Sequence, residues 1–228
     1  MLDLPDFSAA TAARAIEALK RLGWPEIATG DWSWVLASPA GDQVARITPW
    51  DAAYRLHAER CRAARNPYLP RIDAIRPVGA HGHLVLMERP FPAPEDRAAA
   101  LCAALVEAGD SGWRAPEGVD VAALRQDPDI AALRRHVLAM AEEGARTLPF
   151  WGGLDVRPGN VMADGAGQLK LVDPVFVAGP KIIAAIEARD RDALARLPPG
   201  ALAAFFTIPP FRDGGGPLAV AASEMGLL

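Results

Sequence analysis

Two short apolar runs late in the chain constrain its fold more than any other stretch. They are Gly152-Gly-Leu-Asp-Val-Arg-Pro-Gly-Asn-Val-Met162 and Gln168-Leu-Lys-Leu-Val-Asp-Pro174. Asn160 comes five positions after Asp155, and Asp173 thirteen positions after Asn160. Read as a hairpin, this stretch places Asp155 in a loop, Asn160 at the loop's exit and Asp173 at the end of the return strand. Three oxygen-bearing side chains then converge on one small volume. Mg²⁺ takes hard oxygen ligands, usually one or two carboxylates completed by phosphates and water. A carboxylate beside an acceptor hydroxyl can take its proton. The rhythm therefore points to phosphoryl transfer.

The rest of the composition narrows the alternatives. A chain of 228 residues makes one large domain or two small lobes sharing a cleft. Apolar residues make up 51% of it, enough for a core, yet no apolar run approaches the length of a membrane span. Met1-Leu-Asp-Leu-Pro-Asp6 lacks a basic leader, so no secretory signal is expected. The net charge is −4, with no Lys/Arg run interleaved with aromatics, which argues against a nucleic-acid partner. Cys61 and Cys102 fall in helical patterns without ligand-type spacing and read as buried thiols in a reducing, cytoplasmic setting.

In chain order, residues 8–22 read as an amphipathic helix capped by Ser8, stopped by Gly23 and packed on the sheet that follows. Three short strands are expected at 26–29, 33–37 and 43–48, the last two joined by the turn Ser38-Pro-Ala-Gly-Asp42. A helix over 51–65 and two strands at 72–78 and 83–87 complete a small antiparallel lobe, residues 1–88. Glu88-Arg-Pro-Phe-Pro-Ala-Pro94 reads as a hinge, assigned to 89–94. Residues 95–228 read as a helical lobe, with helices at 95–108, 120–125, 129–146, 179–189, 191–197 and 218–228. The helix at 129–146 shows Ile130, Leu133, Val137, Met140 and Ala141 on one face. Trp24, Trp113 and Trp151 read as core or interface residues.

Laid out this way, the sequence resembles the protein-kinase-like superfamily, from about Glu26 to about Val175. That superfamily includes protein kinases and small-molecule kinases of the aminoglycoside and fructosamine type. The resemblance implies an α+β, bilobal protein-kinase-like fold, with a small antiparallel β lobe and a truncated helical C-lobe. By it, Asp155 matches the catalytic-loop Asp, Asn160 the metal-binding Asn and Asp173 the Asp that opens the metal-binding motif. Ala28-Thr-Gly-Asp-Trp-Ser-Trp-Val35 stands in the place of the glycine-rich loop. Gly30 matches the middle glycine, Ala28 and Ser33 replace the outer ones, Trp32 sits at the tip and Val35 packs on adenine. Arg46 takes the position of the phosphate-contacting Lys, with Glu59 as its expected ion-pair partner. Met87 matches the gatekeeper, and the backbone from Glu88 to Pro90 faces the nucleobase. The implied cofactors are ATP and Mg²⁺, and the implied partner is a nucleotide plus a hydroxyl acceptor, either protein Ser/Thr or a small molecule.

The sequence also departs from the family pattern. Arg46 replaces a compact ammonium with a planar fork. Gly153 stands where the family has a His, and the metal motif is Asp173-Pro-Val rather than Asp-Phe-Gly. The 55 residues after Asp173 contain no Ala-Pro-Glu segment. Asp-Pro tilts toward a small-molecule kinase, whereas Arg157, two residues after Asp155, sits where protein Ser/Thr kinases carry a Lys. An active phosphotransferase and a pseudokinase that binds nucleotide or a partner both fit. A metal-dependent hydrolase would want clustered ligands, which His57, His81, His83 and His136 do not supply.

Overall fold

The computed structural model describes residues 4–106, 115–211 and 214–228. Trp113 and the end of the helix expected over 95–108 lie outside the described residues, as do Met1 to Asp3. The chain is an α+β protein that divides into two compact units. The first comprises Met1–Asp51, Asp73–Met87 and Ala178–Leu228; the second comprises Ala52–Ile72 and Glu88–Val177. The units thus regroup the expected 95–228 lobe: its residues to 177 fall in the second unit and those from 178 in the first.

The first unit is built on a five-stranded sheet. Its strands are β1 (Glu26–Thr29), β2 (Trp34–Ala37), β3 (Gln43–Thr48), β4 (Ile72–Val78) and β5 (Gly82–Glu88), in the order β1-β2-β3-β5-β4. The β2–β3 register places Val35 opposite Arg46 and Leu36 opposite Ala45. Helix α1 (Ala12–Arg21) lays Ala12, Ala15, Ile16 and Leu19 onto this sheet. There they join Trp24, Leu36, Ala45, Ile47, Leu84 and Leu86 in one cluster. The i, i+3, i+4, i+7 spacing makes a single apolar stripe, which is why the helix docks.

Its cap differs from the expected one. The Thr11 hydroxyl accepts from the Arg14 N–H, while Ser8 turns its own N–H and hydroxyl to Asp6. A local acceptor two residues back captured Ser8, and the helix starts four residues later than expected. Gly23, at φ +82°, follows the helix as a left-handed stop.

The C-terminal part of this unit is helical: α6 (Gly179–Glu187), α7 (Arg191–Leu194), α8 (Ala201–Phe205) and α9 (Gly216–Glu224). It meets the β1–β2 hairpin through Trp32, whose ring lies 5.7 Å from Phe205 and 5.8 Å from Trp50. The position a Cβ would take on Gly179 is 3.2 Å from the same indole.

The second unit contains α2 (Ala52–Ala63), α3 (Glu95–Leu105), α4 (Val121–Gln126) and α5 (Pro128–Thr147). Helix α5 starts on Asp127, whose carboxylate accepts from the N–H groups of Asp129 and Ile130, and Pro128 occupies its first turn. It buries Ile130, Leu133, Val137, Met140 and Gly144; Ala141 is only partly covered. Arg60 of α2 donates from Nε to Glu143 of α5 at 2.9 Å.

Two small sheets complete the unit. Strand β7 (Trp151–Leu154) pairs antiparallel with β10 (Val175–Val177). Strand β8 (Val161–Ala163) lies between β9 (Leu169–Leu171) and β6 (Phe91–Pro92). The proline-rich segment expected as a hinge is partly a strand, with Phe91 opposite Ala163 and Pro92 opposite Met162. An edge position tolerates the missing proline N–H. Among the described residues, no helix is long and apolar enough to cross a membrane.

Candidate active site

Strand β7 delivers the chain to Asp155, a turn of 3₁₀ helix (Pro158–Asn160) follows, and β8 begins at Val161. Pro158 supplies the fixed φ that starts the turn, and the Asn160 N–H closes it on the Arg157 carbonyl at 2.9 Å. Asn160 is 9% exposed. Its amide nitrogen donates to both the Asp155 backbone carbonyl and the Asp155 Oδ2, each at 2.8 Å. Loop entrance and loop exit are thereby locked together.

The segment carrying Asp173 is tied to both. The Val172 N–H donates to the Asn160 carbonyl at 2.9 Å, and the Asp155 N–H donates to the Pro174 carbonyl at 2.7 Å. The residues on either side of Asp173 are bonded to the other two members of the trio, so all three share one neighbourhood. Asp173 lies just past β9 and just before β10, between the two small sheets.

Charge at this site is asymmetric. Arg157 reaches back from the loop, its Nε 3.1 Å from Asp155 Oδ2, and its side chain is about half exposed. That oxygen thus receives both the Asn160 amide and the Arg157 guanidinium. With both amide hydrogens aimed at Asp155, the Asn160 Oδ1 is left to face the other way. A hard oxygen there, with the Asp173 carboxylate, fits the donor set Mg²⁺ takes. Among the described residues no three or more His, Cys, Asp or Glu gather as a metal cluster. The trio itself offers two carboxylates and one amide.

Gly153 explains one departure from the family pattern. Its φ is +111°, a region that a side-chain-bearing residue enters only under strain. Its neighbour Gly152 lies under the Phe176 ring, 2.4 Å from where a Cβ would be. The β7–β10 pairing leaves no room for a side chain at 152, and a side chain at 153 would hold its backbone under strain.

The other residues expected to handle a nucleotide lie on both units. Gly30 closes the β1–β2 hairpin by donating its N–H to the Ser33 carbonyl at 2.9 Å, and Val35 is half-buried in β2. Ser33 is 4% exposed and accepts from Arg46 Nε at 2.9 Å. Arg46 Nη2 lies 3.4 Å from Asp51 Oδ2. Met87 is buried in β5.

In the second unit, Glu59 Oε1 lies 2.8 Å from the Nε of Arg55, one turn back along α2. Glu88 accepts the Arg71 N–H at 2.8 Å and faces Lys170 at 3.4 Å, and its own N–H bonds the Arg71 carbonyl at 3.1 Å. Lys170 is buried between Glu88 and Asp164. Burial alone would raise the Asp164 carboxyl, but the N–H groups of Gln168 and Ala166, with Lys170, hold it below its ordinary value.

Asp51 escaped the sequence reading. An acid directly before a helix, five residues after the strand cation, is compatible with pairing to Arg46 but does not single it out. Both cysteines are buried, as the sequence suggested.

No family model matches the chain, and no curated protein does. Among solved structures it is similar to an aminoglycoside phosphotransferase from Streptomyces rimosus, at 17% identity and a TM-score of 0.38. The alignment covers 96% of this chain and 100% of that one.

Proposed function

We propose that the chain is an ATP- and Mg²⁺-dependent phosphotransferase of protein-kinase-like type, moving the γ-phosphate to a hydroxyl. The observation that carries this reading is the double clamp of Asn160 on Asp155, with the chain on both sides of Asp173 bonded to the same two residues. In this reading Asp155 orients the acceptor hydroxyl and takes its proton, through the oxygen not engaged by Arg157 and Asn160. Asn160 Oδ1 and the Asp173 carboxylate are the protein's metal ligands. Mg²⁺ bound there would supply neutralisation of the triphosphate, the main requirement of phosphoryl transfer beside positioning.

Gly30, Ser33, Val35, Arg46 and Met87 take the nucleotide-binding roles that the sequence resemblance implies. The side chains of Glu59 and Glu88, engaged with Arg55 and with Arg71 and Lys170, are given no part in chemistry.

A second reading, a pseudokinase that binds nucleotide or a partner without turnover, is favoured by one contact: the Glu88 N–H is spent on the Arg71 carbonyl. A thermal-shift titration with ATP and Mg²⁺ tests the nucleotide itself. A ligand at one hundred times its Kd stabilises the native state by about 2.7 kcal/mol. The reading predicts a Mg²⁺-dependent rise in melting temperature that saturates; no shift at millimolar ATP overturns it. A saturating shift with no ADP formed selects the pseudokinase.

A further inference from the structure

Arg46, Ser33 and Asp51 form a polar knot within the first unit, with Ser33 and Asp51 buried and Arg46 partly exposed. Arg46 stands on β3 opposite Val35, so its side chain leaves the sheet close to where the hairpin enters β2. Ser33 lies at that entry, and Asp51 follows β3 and precedes α2. Exposure is 4% for Ser33 and 3% for Asp51, and 11% for the Arg46 side chain. The Nε–Oγ distance is 2.9 Å and the Nη2–Oδ2 distance 3.4 Å.

A carboxylate this buried loses its hydration and needs a paired cation to stay charged. A guanidinium carries its five N–H donors in one rigid plane. Fixing Nε and Nη2 therefore sets the orientation of the whole plane. A lysine could not be held this way, because its ammonium has no plane to fix. The knot thus fits the Arg that replaces Lys at this position.

We propose that Asp51, assisted by Ser33, is the positioning residue for Arg46 in nucleotide binding. It does from the strand–helix junction what the sequence pattern assigned to Glu59 on the helix. This rests on the phosphotransferase reading, because it takes Arg46 to be the residue that meets the phosphates.

The test is calorimetric titration of the full chain with a non-hydrolysable ATP analogue plus Mg²⁺, and separately with adenosine. Asp51→Asn keeps the shape and removes the charge. It should raise the Kd for the triphosphate about tenfold, the scale of one charge-assisted hydrogen bond, and leave the Kd for adenosine unchanged. Asp51→Glu should recover part of the loss, and Glu59→Gln should alter neither affinity. In an Arg46→Gln background, Asp51→Asn should cost nothing further.

Equal losses for the triphosphate and adenosine would reveal a purely structural role and overturn the proposal. So would an Asp51→Asn protein with wild-type triphosphate affinity, or losses that multiply with Arg46→Gln. These outcomes leave the phosphotransferase reading standing. Wild-type protein that binds neither ligand overturns both.

Discussion

At Gly153 the backbone adds a requirement that pattern alone does not show. Set against the family pattern it looks like a lost His; at φ +111° it is a residue the local chain requires. Gly153→Ala should destabilise the protein by about 1–3 kcal/mol through backbone strain, measured by urea unfolding. Gly159→Ala, with nothing within 4 Å of the new Cβ, should stay close to wild type. The meeting of Asp155, Asn160 and Asp173 in one neighbourhood was legible because their spacing is local. The pairing of Asp51 with Arg46 was not, because it depends on which way the Arg46 side chain leaves the sheet.

The cysteines add a second prediction at this scale. Burial pushes the Cys102 thiol up to about 12 and the Cys61 thiol still higher. Both should resist thiol reagents at pH 8 in the native protein and react fully in urea. The sign follows from linkage: an unfolded thiol titrates near 8.5, the folded one well above it. As pH rises past about 8.5 the unfolded state loses protons first, and stability falls by about 1.4 kcal/mol per pH unit for each thiol. Cys102→Ala should flatten that alkaline decline without removing the part owed to Cys61.

Among the elements, strong periodicity was readable and exceptions to it were not. The buried face of α5 follows its 3.6-residue repeat, yet Gly144 in its last turns follows no propensity rule. The Trp151 ring explains it, lying 2.6 Å from where a Cβ would stand. Helix propensity alone favours Gly144→Ala by about 1 kcal/mol. Crowding the indole, which leads directly into the site loop through β7, opposes it. We expect Gly144→Ala to be net destabilising by about 1–2 kcal/mol, read from the urea midpoint. The hinge had the same difficulty in reverse: its prolines signalled a linker, and only the pairing with β8 makes Phe91–Pro92 a strand.

For the whole molecule, the assignment of residues 178–228 to the first unit was invisible in sequence. Helical spacing identified the pieces, but nothing local links Phe205 to Trp32. Phe205 is 1% exposed and touches Trp32, Phe206 and Phe211. Phe205→Ala should cost about 3–5 kcal/mol and loosen the β1–β2 hairpin, seen as faster amide exchange at 30–34. If that exchange stays at the wild-type rate, the C-terminal segment does not hold the hairpin.

In the proposed function Asp155, Asn160 and Asp173 work as one phosphoryl-transfer centre. It is tested most directly by following γ-phosphate transfer from labelled ATP, with Mg²⁺, in the wild type and in Asp155→Asn and Asp173→Asn. The account predicts Mg²⁺-dependent transfer by the wild type and losses of about 10²–10⁴-fold in Asp155→Asn, with a comparable loss in Asp173→Asn and near-native melting in both. Variants that transfer phosphate as fast as the wild type would contradict it.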